Sequence, residues 1–237
     1  MHVPTCASQE LTLMGFKEAL ALADATDLSA YDHSRWLYVP NRYCDYRYLL
    51  GTRGRAPLIC IGINPSTAAP DALDNTLKSV SRIAAHNGFD SWMMFNVYAQ
   101  RATDPNDMDA ERNDRLHAEN MKAFAYLLDG CGEGTPPTVW AAWGTLIEKR
   151  PYLVSCVEEM IALGKSRGAR WVCAGKRSVK GHPHHPLYLR KDETIRPFDV
   201  EAYCAALHTS GMRPMLPQRR RNGNTRISVN LAAFCLG

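Results

Sequence analysis

Ala56-Pro57-Leu58-Ile59-Cys60-Ile61-Gly62-Ile63-Asn64-Pro65-Ser66-Thr67-Ala68 is the stretch whose reading decides the fold. From Leu58 to Ile63 it is nearly continuous in apolar, mostly β-branched residues, the pattern of a parallel strand covered on both faces. Pro65 has no N–H to give to a ladder, so the strand ends before it. Ser66 and Thr67 suit the cap of a following helix. The strand thus delivers Asn64 at its C-terminal edge, beside backbone N–H groups fit for an anion or a polarised water. Ligand crevices of open α/β sheets lie at that edge. An ordinary strand-to-turn junction has the same sequence, and both readings stand here.

Working outward, residues 74–87 place Leu77, Val80, Ile83 and Ala84 on one helical face, with Gly88 as a stop. Residues 92–97 form a second strand carrying Asn96, and Arg101-Ala102-Thr103-Asp104-Pro105 is a turn. A helix over 113–128 turns Leu116, Ala123, Phe124, Leu127 and Leu128 inward. A Gly/Pro-rich loop leads to a third strand, 138–143, which Gly144 ends. Pro151 interrupts the next helix, which resumes over 152–163; a fourth strand follows at 169–174 and a last helix at 198–208. Strands alternating with helices mean right-handed βαβ units. The expected fold is α/β, a three-layer α/β/α sandwich with a central, mainly parallel four-stranded sheet. Residues 1–41 read as an N-terminal helical extension with a helix over 8–24, residues 42–210 as the α/β domain, and residues 211–237 as a basic tail.

The 237 residues suffice for one well-buried domain, and 46% hydrophobic with 22% charged residues is ordinary for a soluble protein. The net charge of +4 is unevenly spread: Arg213, Arg219, Arg220, Arg221 and Arg226 crowd the last stretch. Such a cluster fits a phosphate backbone, or is a solvated tail. Between residues 35 and 50, arginines alternate with aromatics, as an added hairpin or edge strand would, or as a surface that stacks bases. No run approaches a membrane span, no signal peptide pattern opens the chain, and the eight cysteines include no C-x-x-C pair. The reading is a cytoplasmic protein with reduced thiols.

Four loops leave the C-terminal strand edges, presenting Asn64 with Ser66 and Thr67, Asn96 with Arg101, Gly144, and Gly181-His182-Pro183-His184-His185-Pro186-Leu187-Tyr188. Two amides, hydroxyls and histidine without a carboxylate pair suit recognition of a planar hydrogen-bonding ring, because an Asn offers both donor and acceptor to a base edge. Proline holds the histidines extended and aims successive rings apart, which makes poor chelation geometry. The reading therefore calls for no metal and no cofactor, and leaves a catalytic histidine beside a merely shape-holding loop. Ser66 lacks the nucleophile-elbow pattern. Asp74-Asn75-Thr76 reads as a helix cap or as part of a polar site.

Taken in order, Gly62-Ile63-Asn64-Pro65, Asn96, Trp143-Gly144 and the loop from His182 to Leu187 resemble the uracil-DNA glycosylase superfamily. A closer resemblance is to domain-of-unknown-function family 1643. Its pattern looks like Arg47-Tyr48-x-Leu50, Asn64-Pro65-Ser66-Thr67-Ala68, Asn96, Arg101-Ala102-Thr103-Asp104-Pro105, Trp143-Gly144 and His185-Pro186-Leu187-Tyr188, over about residues 42–190. The glycosylase resemblance implies a DNA glycosylase-like N-glycosidic bond hydrolase. Asn64 would hold the attacking water. Asn96 would read the base, with Ser66, Thr67, Arg101 and Tyr188 around the substrate. His185 or His182 would stabilise the departing base, and His185 is favoured because Pro186-Leu187 follows it. Arg219, Arg220 and Arg221 would meet nucleic acid. The alternatives are a non-catalytic nucleic-acid or nucleotide-binding module, and a glycosidase for free modified nucleosides or nucleotides.

Overall fold

The computed structural model describes residues 12–25, 31–132 and 134–209. The arginine cluster at 213–226 lies outside the described residues. The elements run α1 (Phe16–Asp24), β1 (Trp36–Val39), β2 (Leu49–Thr52), β3 (Pro57–Gly62), α2 (Asn75–His86), β4 (Ser91–Asn96), α3 (Asp114–Asp129), β5 (Thr138–Ala141), α4 (Pro151–Ser166), β6 (Arg170–Ala174), β7 (Ile195–Pro197) and α5 (Val200–Thr209).

All seven strands join one sheet in the order β1-β2-β4-β3-β5-β6-β7. This corrects the expectation of four. The four strands legible as apolar runs, β4, β3, β5 and β6, pair in parallel at the centre. An antiparallel hairpin, β1–β2, extends the sheet beyond β4, and β7 closes the other edge antiparallel to β6. The hairpin falls where the arginine–aromatic alternation of residues 35–50 allowed an added hairpin, and its strands are buried on both faces. An edge strand that is short and largely exposed, by contrast, carries no apolar pattern. β7, whose three residues are half-buried or exposed, is the clearest case.

Alternation along β3 sets the two faces. Ile59 and Ile61 pack with α1, α3, α4 and α5 residues such as Phe16, Phe124, Leu153 and Tyr203. Leu58 and Cys60 face the other way, onto Leu77, Val80 and Ile83 of α2. Burying each such aliphatic side chain stabilises the fold by about 1.5–3 kcal/mol. Within residues 1–41, read as an extension, Phe16, Ala19 and Ala23 of α1 belong to the main core, with α1 packed against β1 and α3, and β1 is a strand of the sheet. Of the aromatics of the 35–50 stretch, Trp36, Tyr38, Tyr46 and Tyr48 are buried in the packing, while Tyr43 is exposed.

Capping decides where the helices begin. Asp74, not Ser66 or Thr67, caps α2, accepting from Leu77 N at 2.9 Å, and Asn113 caps α3 through Leu116 N at 3.0 Å. The helical run breaks at Pro151 as expected, and Pro151 itself opens α4, since a proline at the first helical position costs no hydrogen bond. A 3-10 segment, Gly144–Lys149, fills the space between β5 and α4. Gly144 enters that segment at φ 64°, a left-handed turn that favours glycine. Among the described residues no helix is long and apolar enough to cross a membrane.

Candidate functional site

The C-terminal ends of β3, β4 and β5, the start of α2 and the 3-10 turn Pro186–Tyr188 enclose a cavity of about 530 Å³. That size lies within the range of small-molecule sites. Asn64, Ser66, Asn96, His185 and Tyr188 line it, together with Arg47 and Asp74.

Asn64 follows β3 directly. Its Nδ2 donates to Ala102 O at 2.8 Å and to Pro65 O at 3.1 Å. Ala102 N returns a bond to Pro65 O at 3.0 Å, so the loops after β3 and β4 are tied together. With the amide nitrogen committed, Asn64 presents its carbonyl oxygen, a fixed acceptor suited to orienting a water.

Asn96 ends β4, and its side chain is 1% exposed. Neither its Oδ1 nor its Nδ2 has a protein partner. Leaving one buried polar group unmet costs about 1–3 kcal/mol, so a side chain with two unmet atoms on a cavity wall points to a ligand carrying the complementary pair. Gly62 lies beneath this amide: a Cβ there would stand 2.5 Å from Met94 Cε and 3.2 Å from Asn96 Oδ1. The glycine is what lets the Asn96 amide lie close over the end of β3.

His185 caps the Pro186–Tyr188 turn, its Nδ1 accepting from Leu187 N at 3.4 Å. That contact leaves the ring proton on Nε2. Burial pushes the imidazole from its ordinary value down to about 4, against the opposing pull of Asp74. At neutral pH the ring is an uncharged N–H donor.

The two candidate histidines part company here. His182 is buried outside this cavity, with Nδ1 2.9 Å from Tyr203 Oη and Nε2 2.8 Å from Glu148 Oε1. Tyr203 Oη also accepts from Trp143 Nε1 at 2.9 Å. Both His182 nitrogens are thus consumed by the protein. Glu148 is held below the usual carboxylate range by hydrogen bonds from Lys180 and His182. Thr67 is exposed and does not line the cavity. Arg101 does not line it either; it is fully buried behind the wall and donates to Ser66 O and, at 2.9 Å, to Tyr38 Oη. Tyr188, 74% exposed, stands at the mouth beside Leu187.

Two contributors, Arg47 and Asn120, were not singled out from sequence as site residues, and a third, Asp74, was left open. Arg47 lines the cavity at 1% exposure, where an arginine among aromatics reads by default as exposed. Asp74 both caps α2 and forms cavity wall, so the two readings of Asp74-Asn75-Thr76 coexist. Asn120 of α3 donates Nδ2 to the main-chain oxygen of Asn96 at 3.0 Å. A polar residue on an inward helical face was its signal. Among the described residues no three His, Cys, Asp or Glu gather as a metal site.

A family model described as Protein of unknown function (DUF1643) matches residues 47–187, a span that contains every residue lining the cavity except Tyr188. No curated protein matches the chain, and no solved structure does.

Proposed function

The chain belongs to the family described as Protein of unknown function (DUF1643), and we propose that this member recognises a nucleobase and hydrolyses its N-glycosidic bond. The observation that carries the reading is the Asn96 amide, buried with donor and acceptor both unmet, beside an uncharged His185 and the free carbonyl oxygen of Asn64. A base edge supplies the complement of a carboxamide. In the reaction, a water held by Asn64 Oδ1 attacks the anomeric carbon, and the carbon–nitrogen bond breaks with its electron pair leaving on the base. His185 Nε2–H and Asn96 Nδ2 stabilise that charge. The water proton and the proton taken up by the base exchange with solvent. The same three positions carry the likeness to the uracil-DNA glycosylase superfamily, whose three-layer fold and base-reading chemistry this proposal adopts. A substrate within a polymer has to present its base unstacked, as a single strand does or a flipped nucleotide.

Release of free base is the test, measured across oligonucleotides with damaged or modified bases and across free nucleosides in parallel. Turnover that disappears in Asn96→Ala supports the reading. Full turnover in that variant ends it. One observation favours a second reading, a binding module without catalysis: among the described residues Asp74 is the only carboxylate on the cavity wall, and its Oδ1 is engaged in capping α2. Tight, Asn96-dependent binding of nucleosides without product would establish that module.

A further inference from the structure

Two fully buried arginines stand together behind the loop after β3. Arg47 Nη1 donates to Ala68 O at 3.1 Å, and Arg101 Nη1 reaches Ser66 O and, at 3.5 Å, the same Ala68 O. Their backbones are bound to one short antiparallel patch, in which Arg47 N donates to Ala99 O at 2.9 Å and Arg101 N to Asp45 O at 2.8 Å. Among the described residues neither guanidinium has an ion pair, and the buried Nε of each has no acceptor. Two like charges held this close to one carbonyl, out of water and without a carboxylate, are expensive: removing an ion from water costs several kcal/mol, recovered only by a partner with good geometry. Asp74 attracts Arg47 from across the wall, but a capping bond already holds its Oδ1. The other ionisable groups that face Arg47 are the phenols Tyr38 and Tyr43, which are neutral at physiological pH. Only Arg47 lines the cavity, so the positive charge has one outlet, into the same space as Asn96 and His185.

We infer that Arg47, backed by the charge of Arg101, forms an anion subsite for a phosphate group on the same ligand whose base Asn96 reads. The substrate class is then a phosphorylated nucleoside unit, and not a bare nucleoside. Arg47 is the fork that meets the phosphate oxygens. Arg101 is a positioning residue that clamps Ser66 and Ala68 and adds to the field without reaching the ligand. This rests on the nucleobase reading for the identity of the ligand, but the anion site itself does not.

The test uses the full chain and inorganic phosphate as probe, with chloride at matched ionic strength as control. Phosphate is expected to raise the melting temperature in a concentration-dependent way, since a ligand of the folded state stabilises it by mass action. Arg47→Met is expected to abolish that rise, and Arg47→Lys to weaken it. A rise of equal size in Arg47→Met, or none in the wild type, overturns the subsite. In parallel, the four common deoxynucleosides are compared with their 5′-monophosphates and with a short single-stranded oligonucleotide. The phosphorylated forms are expected to bind about tenfold or more tightly than the nucleosides, and equal affinity overturns the proposal even where Arg47→Met fails to fold. Preference for the monophosphate assigns the subsite to a phosphomonoester, and preference for the oligonucleotide assigns it to a backbone diester. An Arg47-dependent phosphate effect with no competition from any nucleoside or nucleotide leaves the anion site standing and removes the nucleobase reading.

Discussion

Asn120 Nδ2 lies 3.0 Å from the main-chain oxygen of Asn96 and 3.4 Å from that of Val97, so a side chain of α3 fixes the end of the strand that presents the Asn96 amide. Removing it in Asn120→Ala leaves two buried carbonyls without that donor, a loss of about 1–3 kcal/mol by chemical denaturation. Because Asn120 sits behind Asn96 and outside the cavity lining, its effect on the ligand runs through position alone. Base-dependent affinity is expected to fall while the rate at saturation holds. Destabilisation with unchanged affinity would reduce Asn120 to a core residue.

His185 makes a sharp pH prediction. Its ordinary pKa near 6.5 is pushed down by burial to about 4. For a group depressed on folding, the contribution to stability is complete above the unfolded value and is lost as pH falls toward the folded one. The acid limb of turnover therefore belongs near pH 4, with no inflection near 6.5. Asp74 pulls the histidine the other way, so Asp74→Asn, which keeps a capping side chain, is expected to move the limb lower still. His185→Ala is expected to cost roughly 10²–10³ in rate, the usual effect of deleting one donor to a developing anion. An acid limb near 6.5 would show that the ring titrates as an exposed histidine does.

Asn64 is tied down by its nitrogen and offers its oxygen, the arrangement for holding a water and not for gripping a base. Asn64→Ala is expected to slow base release by roughly 10², the cost of a misplaced reactant, and to leave ligand affinity largely intact. Equilibrium binding beside single-turnover release separates the two effects. A loss confined to affinity would make Asn64 a binding residue.

How much of this was legible before any coordinates depends on how local each cause is. The four central strands announce themselves because two-sided burial selects unbroken apolar runs such as Leu58-Ile59-Cys60-Ile61. The faces of α2 and α3 follow from 3.6-residue periodicity. Loop residues at strand ends, Asn64 and Asn96 among them, follow once the strands are parallel, because every parallel strand then points to the same edge. The β1–β2 hairpin lies where residues 35–50 allowed for one. The edge strand β7 was not legible, since it has neither length nor apolar pattern. Nor was the burial of Arg47 and Arg101, which depends on carbonyls of the 66–68 loop turning toward them. Which histidine faces the cavity was likewise hidden: His182 is claimed by Glu148 and Tyr203, 34 and 21 residues away in sequence, and no spacing within the loop encodes that.

That division between the two histidines gives the final prediction. Trp143, Tyr203, His182 and Glu148 form one hydrogen-bonded chain of 2.9, 2.9 and 2.8 Å that joins the end of β5, α5 and the histidine loop. Three of the four side chains are buried, so breaking the chain strands polar groups away from water. His182→Ala is expected to cost about 1–3 kcal/mol of stability through the partners left unmet. His185→Ala touches no such chain and is expected to be the milder change for stability and the severe one for turnover. Denaturation and base-release measurements on both variants give opposite orderings if His185 serves the cavity and His182 serves the fold. If instead His182→Ala stops turnover in a protein of unchanged stability, the assignment of the two rings is reversed, and the catalytic donor has to be sought on the α5 side of the loop.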